Sequence, residues 1–533
     1  MEMNLTADQQ ALVKQLETFT AKHIAPLDHQ IDQTGEFSQA AYELLIQQKV
    51  PRLGIAKPYG AGLSAQTRTV VLSTIARGSA SLAVMLEGLW KAADQIDHYG
   101  TPAQKKRYLS AANDHLMGFA ITEPSGGSLR GVKSMAVKTD TGWTLNGEKA
   151  FVTNGGQATA YVVLARDDRG EFVTFIVNTT MPGVSVTAKQ TTLGLRGTSV
   201  AGLHFKDVQL TAADMLGRPG QGLAIARRNQ AIARIFMGAI SAGVMEHALD
   251  CVKMYAAKRE VVDGTLNTIP AVQTKVAKMT IQKRAGELLA LDAASQVDQH
   301  VDFEAAATMA KLYGGQQGFD VTNQAIQIVG GLAYTHEFPL EQLLRDMRAM
   351  DLAEGSTEWI MQDLGALELG VADHQNAVDN RPVPMAKRVE TSDLHRIVKE
   401  LHLTEDVPVN VGNVRTAKRI IALGRGALEP TVVLQAQQLA KWIGAAIAVT
   451  RPLTTLEQFS VEQQIGLGGA TVTPEVILTI GISGADQFVI GMVGAKHIIA
   501  VNQDETAPIF KVAQHAYVGT SGDFLAGMLS ALN

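Results

Sequence analysis

The chain has 533 residues, of which 46% are hydrophobic and 19% are charged. This length predicts several folding units, and this composition excludes the disordered and fibrous classes. The formal net charge of -5 arises from interspersed acidic and basic residues without a basic block, which argues against a nucleic-acid-binding protein.

Cys251 is the single cysteine, so an internal disulfide is excluded and a reducing compartment is indicated. Because it lies in an apolar helical stretch, we interpret it as a core residue. The N-terminal sequence MEMNLTADQQ lacks the pattern of a secretory signal, and no run of eighteen apolar residues occurs. We expect a cytoplasmic protein without membrane insertion, and the spacing of the histidines predicts no metal site.

Three predicted regions make up the first part of the chain. Residues 1–120 show helical periodicity, beginning with a capping box at Thr6 and Gln9. Residues 121–222 contain short β-rich runs such as YVVLAR and EFVTFIV, with a predicted turn at Asn146 and Gly147. Residues 223–371 return to long alanine-rich helical stretches, which predict an antiparallel bundle of about four helices.

Residues 372–404 are predicted to be a linker, since they begin with a polar stretch that contains two prolines and lacks periodicity. Residues 405–533 form a last domain in which the apolar runs RIIAL, AAIAV, EVILTI and KHIIAV alternate with turns and helical segments. This alternation is typical of an α/β doubly wound parallel sheet, whose ligands bind at the carboxyl ends of the strands.

Several motifs in the first part agree in order and spacing with one family. They are YGTPAQKKRYL (99–109), TEPSGGS (122–128), LNGEKAFVTNGG (145–156), LGLRGTSVAGLHFKDVQL (193–210) and QIVGGLAYTHEFPLEQLLRDMRAMDLAEGSTE (327–358). This part, over about residues 1–375, resembles the acyl-CoA dehydrogenases. The resemblance implies a helical domain, a β-barrel-like middle domain and a four-helix bundle, with FAD as cofactor and an acyl-CoA as substrate.

The reaction implied by this resemblance explains the residue types. A carboxylate removes a proton from Cα of an acyl thioester, and a hydride passes from Cβ to flavin N5. The resemblance assigns the role of base to Glu354, with Arg234 beside it as a second catalytic residue. A non-catalytic alternative is that Glu354 is a carboxylate near a helix N-terminus, where negative charge is favourable.

The resemblance also assigns flavin contacts. Thr122 and Ser128 are expected around the ring and pyrophosphate, and Phe151 and Thr153 beside the isoalloxazine. Around the pyrophosphate and adenosine the expected contacts are Arg259, Gln327, Gly330 and Gly331, and Ser356 is a further cofactor-binding candidate. Arg259 is expected to reach the cofactor of a neighbouring subunit, so a homotetramer is expected. Departures from the family pattern are Val262 and Asp263 after this arginine, Leu129 and Arg130 after the Gly-Ser, Ala353 before the base, and Glu358 near the adenine.

The last domain carries GRG (424–426), QIGLGG (464–469), EVILTIGISGADQFVIGM (475–492) and AVNQDETAPIFKVAQ (500–514). It resembles the C-terminal FAD-binding domain of the electron-transfer flavoprotein alpha subunit. The resemblance implies a second FAD held by Arg425, Arg451, Gln464, Ser483, Gln487, Asn502 and Asp523. Gly468 and Phe488 replace a hydroxyl and a histidine that tune the flavin in that family.

We therefore expect an FAD-dependent acyl-CoA dehydrogenase or 2-enoyl-CoA reductase with a tethered second FAD domain for electron transfer. An electron-transfer flavoprotein beta-like subunit or another redox protein is an expected partner. Two alternatives stay open. One is a dehydrogenase whose substrate is carried by an acyl carrier protein, and the other is a flavin-carrying assembly subunit with a vestigial C-terminal domain.

Overall fold

The computed structural model describes residues 5–112, 115–369, 387–404, 413–456, 458–466, 468–492, 494–505 and 507–532. The chain divides into two compact units, Met1–Val371 and Ala372–Asn533.

The first unit begins with a helical region. Its helices are α1 (Ala7–Phe19), α2 (Ala25–Thr34), α3 (Gln39–Gln47), α4 (Val50–Leu53), α5 (Ala65–Ala76), α6 (Ala80–Tyr99) and α7 (Pro102–Gln104), with π-helical turns at Thr20–Ile24 and Lys105–Leu109. The capping box predicted at Thr6 and Gln9 is confirmed, since each side chain accepts a hydrogen bond from the other's backbone N–H. α6 is buried over most of its length, and Trp90 at its centre packs edge-on against Phe236.

A seven-stranded sheet follows, with its first strand beginning at Met117. The strands are β1 (Met117–Ala120), β2 (Met135–Lys138), β3 (Trp143–Thr153), β4 (Ala160–Asp167), β5 (Phe172–Asn178), β6 (Val184–Val186) and β7 (Val200–Leu210). They pair in the order β1-β4-β2-β3-β7-β6, with β5 also on β4.

The turn predicted at Asn146 and Gly147 is wrong, because both residues lie inside β3 and the β2–β3 turn closes earlier, from Thr139 to Gly142. Gly147 instead has φ +145° beside a register shift against β7, and an added Cβ would meet the Ser134 side chain at 2.4 Å. The glycine is thus needed at a bulge and not at a turn.

The first unit ends in long helices. They are α8 (Gly222–Lys258), α9 (Pro270–Asp298), α10 (Glu304–Val329), α11 (Leu340–Leu352) and α12 (Thr357–Glu368), with a small hairpin of β8 (Glu260–Val261) and β9 (Gly264–Thr265) after α8. Among the described helices, α8 alone is long and apolar enough by composition to cross a bilayer. However, 83% of its most apolar window is buried inside the protein, as expected for the central helix of a bundle.

The second unit is a parallel sheet with helices. Its elements are β10 (Lys387–Arg388), α13 (Leu394–Glu400), β11 (Arg419–Leu423), α14 (Pro430–Ile443), β12 (Ala446–Val449), β13 (Val476–Ile480), α15 (Asp486–Val489), β14 (His497–Asn502), β15 (His515–Val518) and α16 (Ser521–Leu532). The strand order is β10-β15-β14-β13-β11-β12, and every pairing is parallel. Separate apolar clusters cover the two faces, as a sheet built from continuous apolar runs requires.

The predicted linker of 372–404 is too long. Within it, β10 adds to the sheet beside β15, and the buried side chains of Leu394, Ile397 and Val398 join the core of the second unit. Its first part, 372–386, lies outside the described residues. The predicted fold class of a helical, β and helical unit followed by a doubly wound domain is confirmed.

Candidate active site and flavin sites

A cavity of about 1040 Å³ lies in the first unit, between the β region, α6, α8 and the loop that joins α11 to α12. Thr122, Ser128, Phe151 and Thr153 line it from the β side. Glu354 and Ser356 line it from the α11–α12 loop. The structure thus brings six of the predicted site residues to one cavity.

The backbone of Glu354 is in the left-handed region, with φ 58°, and Gly355 follows with φ +105°. A non-glycine residue in this region is uncommon, and such strain clusters at functional sites. Three hydrogen bonds hold the loop in place. Arg234 Nε donates to the Glu354 carbonyl at 3.2 Å, and Lys311 Nζ donates to the carbonyls of Asp351 at 3.0 Å and Gly355 at 2.8 Å.

Both cations that hold this loop are buried. Burial lowers the pKa of Arg234 against the attraction of nearby carboxylates, and it lowers the pKa of Lys311 to about 8, with Asp351 opposing the shift. Arg234 Nη1 also donates to Thr308 Oγ1 at 2.9 Å. Cations at the carboxyl end of a helix interact favourably with its unpaired carbonyls, so Arg234 and Lys311 fix the position of Glu354 through the main chain.

The carboxylate of Glu354 contacts a residue that sequence reasoning missed. Its Oε1 lies 2.6 Å from Lys91 Nζ, and this ammonium is 3.0 Å from Oε1 of Glu87. The available signal was a pair of opposite charges four residues apart in the apolar helical stretch SLAVMLEGLWKAA. Lys91 lines the cavity together with Asn229 and Gln230, which the motifs also did not identify.

A second bulge places Phe151 at the cavity. The register between β3 and β7 shifts between Lys149 and Val152, and Phe151 has φ 52° with 64% of its surface exposed. Downstream, Asn154 Nδ2 donates to the carbonyls of Met85 and Met117, both at 3.0 Å. The end of β3 is thereby attached to α6, and the exposed aromatic ring is held at the cavity wall.

The cavity fits a flavin. Its lining is more apolar than polar, and the side-chain oxygens of Gln190, Thr192 and Asn229 are buried without a hydrogen-bond partner among the described residues. Such atoms are rare in folded proteins unless a ligand or water satisfies them. An apolar cavity with an exposed aromatic ring and a few inward polar atoms suits a large, partly polar ring system. Among the described residues, no group of three or more His, Cys, Asp or Glu side chains is arranged to hold a metal.

Four of the predicted flavin contacts lie elsewhere in the unit. Arg259, Gln327, Gly330 and Gly331 are exposed and do not line this cavity. Gly330 and Gly331 follow the end of α10, and an added Cβ at either would meet no atom within 4 Å. Their contact with a flavin, including that of a neighbouring subunit, stays a prediction.

In the second unit, the candidate residues follow the carboxyl ends of the parallel strands. Arg425 follows β11, Arg451 follows β12, and Ser483 and Gln487 follow β13, all with exposed side chains. Gln464 is buried, and its backbone pairs with Val449 at the end of β12. The connections run in opposite directions from β11 and β13, so a topological switch point lies between these strands.

Glycines bring the two loops at this switch point together. Gly426 N donates to the Gly481 carbonyl at 3.0 Å, and a Cβ on Gly481, which has φ +63°, would meet the carbonyl carbon of Gly426 at 2.4 Å. The two loops can approach this closely only because no side chain stands between them at these positions.

At three positions of this unit, the contacts in the structure differ from those expected for a flavin-binding residue. Asn502 already bonds the Ile482 carbonyl and the Asp504 N–H, and Asp523 bonds Thr520. Phe488 is buried in the apolar core, so the residue that replaces a histidine packs inward. The structure therefore leaves Arg425, Arg451, Ser483 and Gln487 as the more available candidates for binding a ligand.

Comparisons with known proteins cover both units. Family models match for the acyl-CoA dehydrogenase N-terminal domain (residues 6–115), middle domain (118–208) and C-terminal domain (220–367). A further model, for the electron transfer flavoprotein FAD-binding domain, matches residues 413–493. Asn502 and Asp523 lie beyond that match.

Individual relatives agree with these matches. The short-chain specific acyl-CoA dehydrogenase of Homo sapiens mitochondria is 32% identical over 372 residues, 67% of this chain and 89% of the relative. The butyryl-CoA dehydrogenase structure from Megasphaera elsdenii has 29% identity and a TM-score of 0.67, covering 69% of this chain and all of that one. The prolyl acyl carrier protein oxidase AnaB has 25% identity and a TM-score of 0.66, covering 69% of this chain and all of that one.

The resemblance predicted from the motifs is thus confirmed in both units. The cavity and the base-bearing loop lie in the part of the chain that matches the dehydrogenase models, and the parallel sheet lies in the other part. The chain belongs to the acyl-CoA dehydrogenase family and carries, after its three dehydrogenase domains, an electron transfer flavoprotein FAD-binding domain.

Proposed function

We propose that Glu354 is the base of an FAD-dependent oxidation of an acyl-CoA, removing the proton from Cα. The observation that carries this proposal is its place in the cavity. A carboxylate on a strained, firmly bonded loop faces the same space as Phe151 and Thr153, which are expected to lie beside the flavin ring.

The other residues have supporting roles. Arg234 and Lys311 hold the loop, so that the carboxylate is placed before the substrate binds. The backbone N–H of Glu354 is expected to donate to the thioester carbonyl, where negative charge develops as the Cα proton leaves. A flavin bound against Phe151 supplies the acceptor for the hydride from Cβ.

The same arrangement serves the reverse reaction. When a 2-enoyl-CoA is reduced, Glu354 returns the proton to Cα, so the redox partner decides the direction. Short-chain relatives, including one named for butyryl-CoA, favour a short acyl chain. The AnaB relative, named for an acyl carrier protein, keeps the carrier-linked alternative open. Free CoA should compete with substrate in the CoA-linked enzyme and should not compete in the carrier-linked one.

For the second unit, the proposal is a second FAD at the switch point between β11 and β13, which exchanges electrons with the first. Covalent linkage raises the local concentration of one redox centre around another to about millimolar. Two FAD per purified chain would support this role, whereas one FAD would favour the vestigial alternative. Cutting the chain near Pro384 should slow transfer between dilute fragments, and unchanged transfer would refute the role of tethering. A homotetramer and a beta-like or other redox partner belong to the same proposal.

The base assignment is tested by Glu354→Gln, which keeps the size of the side chain and removes the proton acceptor. The expected result is a loss of dehydrogenation of butyryl-CoA by about 100- to 10,000-fold with an artificial electron acceptor, with FAD content and folding retained. The matched control is Glu368→Gln, at an exposed carboxylate near the end of α12. If Glu354→Gln turns over like this control, Glu354 is not the base, and the assembly-subunit alternative gains support.

A further inference from the structure

The contact between Lys91 and Glu354 lies within a buried group of three charges. Glu87 and Lys91 stand one turn apart on α6, with 0% and 5% of their side chains exposed, and the Glu354 side chain is 14% exposed. Burying charged groups is costly unless they are paired. Lys91 meets two carboxylates, one behind it in the core and one at the cavity, and it lines the cavity itself.

Four charged groups on three helices act on Glu354: Glu87 and Lys91 on α6, Arg234 on α8, and Lys311 on α10. Further carboxylates act on the two cations that hold its loop: Glu304 and Asp363 on Arg234, and Asp351 and Glu358 on Lys311. Arg234 and Lys311 bond backbone carbonyls of the loop, whereas Lys91 bonds the carboxylate. Lys91 is therefore placed to control the charge and direction of this carboxylate.

We propose that Lys91 is a positioning residue whose ammonium, shared between Glu87 and Glu354, holds the Glu354 carboxylate in one direction at the cavity until the substrate arrives. This inference rests on the proposed role of Glu354 as base. The ammonium lies 2.6 Å from Glu354 Oε1, and a charge-assisted hydrogen bond of this length fixes the direction of the carboxylate.

Glu87 explains how the base can still act. A carboxylate that bonds an ammonium is a weaker base, so the pair has to loosen when the Cα proton is transferred. At that step Glu354 gains the proton and loses its charge, the hydride passes to the flavin, and Lys91 stays paired with Glu87. Above about pH 7, where Glu87 is ionised, the group changes from two carboxylates and one ammonium to one of each, so no unpaired buried cation is left.

The electrostatics agree with this division of roles. Burial opposes the charge on Lys91, but Glu354 and Glu87 outweigh it and raise the pKa of Lys91 above its ordinary value. Burial raises the pKa of Glu87 to about 7, with Lys91 opposing the shift and Glu354 adding to it. Lys91 is therefore a cation throughout the working range of pH.

The test is the pH dependence of flavin reduction by butyryl-CoA in the FAD-loaded full chain. In Lys91→Met, which removes the cation beside the base, the acid limb should move to higher pH by about 1–2 units, so that the rate below the wild-type midpoint falls by up to about 10- to 100-fold while the rate at pH 9 stays within about threefold of wild type. Lys91→Arg should restore the profile. Lys105→Met, which removes a more exposed partner of Asp97, is the matched control and should leave the profile unchanged.

A second readout does not require oxidation. Acetoacetyl-CoA has an acidic Cα proton, and its enolate can be followed by absorbance. Enolate formation on the enzyme should show the same shift in Lys91→Met as flavin reduction does.

An unmoved midpoint in Lys91→Met, or an equal loss of rate at every pH, overturns the inference. If that variant does not fold, Lys91→Gln decides, since it removes the charge and keeps a polar side chain, and an unmoved midpoint there has the same meaning. The proposed function fails separately, through an active Glu354→Gln. If Glu354→Gln is inactive and the Lys91→Met midpoint is unchanged, the base assignment stands and the role of Lys91 alone is wrong.

Discussion

Asp346 is a buried carboxylate that should make the first unit less stable as pH rises. It lies on α11 with 1% of its surface exposed, and one oxygen accepts a hydrogen bond from Leu195 N at 2.5 Å. Its other oxygen has no hydrogen-bond partner among the described residues. Burial, with a contribution from the nearby Asp28, raises the pKa of Asp346 from 3.8 to about 8.

The sign and size of the effect follow from this shift. A carboxyl whose pKa is raised in the folded state stabilises the fold fully below its unfolded pKa, and this contribution is lost as pH rises through the folded pKa. The window therefore runs from about pH 4 to about pH 8. At about 1.4 kcal/mol per unit, a rise from 3.8 to about 8 gives an upper limit of about 6 kcal/mol, of which we expect roughly 2–4 kcal/mol after local relaxation.

Asp346→Asn removes this titration while its amide oxygen can still accept from Leu195 N. Thermal unfolding of the FAD-loaded protein at pH 5 and pH 8 is the assay. The variant should exceed wild type by about 5 °C in Tm at pH 8, at roughly 1–3 °C per kcal/mol, and should differ little at pH 5. The control is Asp292→Asn at an exposed position. A gain that is equal at both pH values would refute the reasoning.

Two other positions give predictions. In the second unit, Gly481→Ala should destabilise the switch-point loops by about 1–3 kcal/mol, since φ is positive and the new Cβ meets Gly426 at 2.4 Å. The FAD content should fall toward one per chain while the butyryl-CoA reaction of the first unit persists. Unchanged FAD content and stability would contradict this prediction. In the β region, Lys149 is buried 2.8 Å from Glu123, and its pKa is lowered by burial to about 8. Lys149→Met should therefore cost about 3 kcal/mol in chemical denaturation, since it leaves the buried Glu123 carboxylate without its cation and with only its hydrogen bonds from Lys133 and Ser134. A loss below about 1 kcal/mol would contradict the importance of the ion pair.

Much of the fold could be predicted because its signals are local. The apolar runs RIIAL and EVILTI become the buried strands β11 and β13, and the capping box at Thr6 begins α1 as expected. The turn assigned to Asn146 and Gly147 was wrong because the same dipeptide also suits a bulge, and the pairing of β3 with β7 decides between the two. The predicted linker was too long because β10 is a strand of two residues, which has no recognisable sequence pattern.

Only the site residues that belong to a family motif could be predicted from the sequence. The resemblance pointed to Glu354, Phe151 and Thr153, and all three line one cavity. Lys91 and Lys311 belong to no recognisable motif, because their roles depend on partners far away in the chain. The partner of Lys91 is 263 positions away, and the partners of Lys311 are 40 and 44 positions away. Such contacts depend on how α6 and α10 pack against the α11–α12 loop, and periodicity does not determine that packing.

The most direct test of the central claim is an anaerobic mixture of the FAD-loaded protein with one equivalent of butyryl-CoA, followed by absorbance of the bound flavin. Wild type is expected to bleach with formation of the 2-enoyl-CoA, whereas Glu354→Gln is expected to bind the thioester and keep its oxidised spectrum. Bleaching of Glu354→Gln at the wild-type rate would show that another group takes the Cα proton, and would contradict the account.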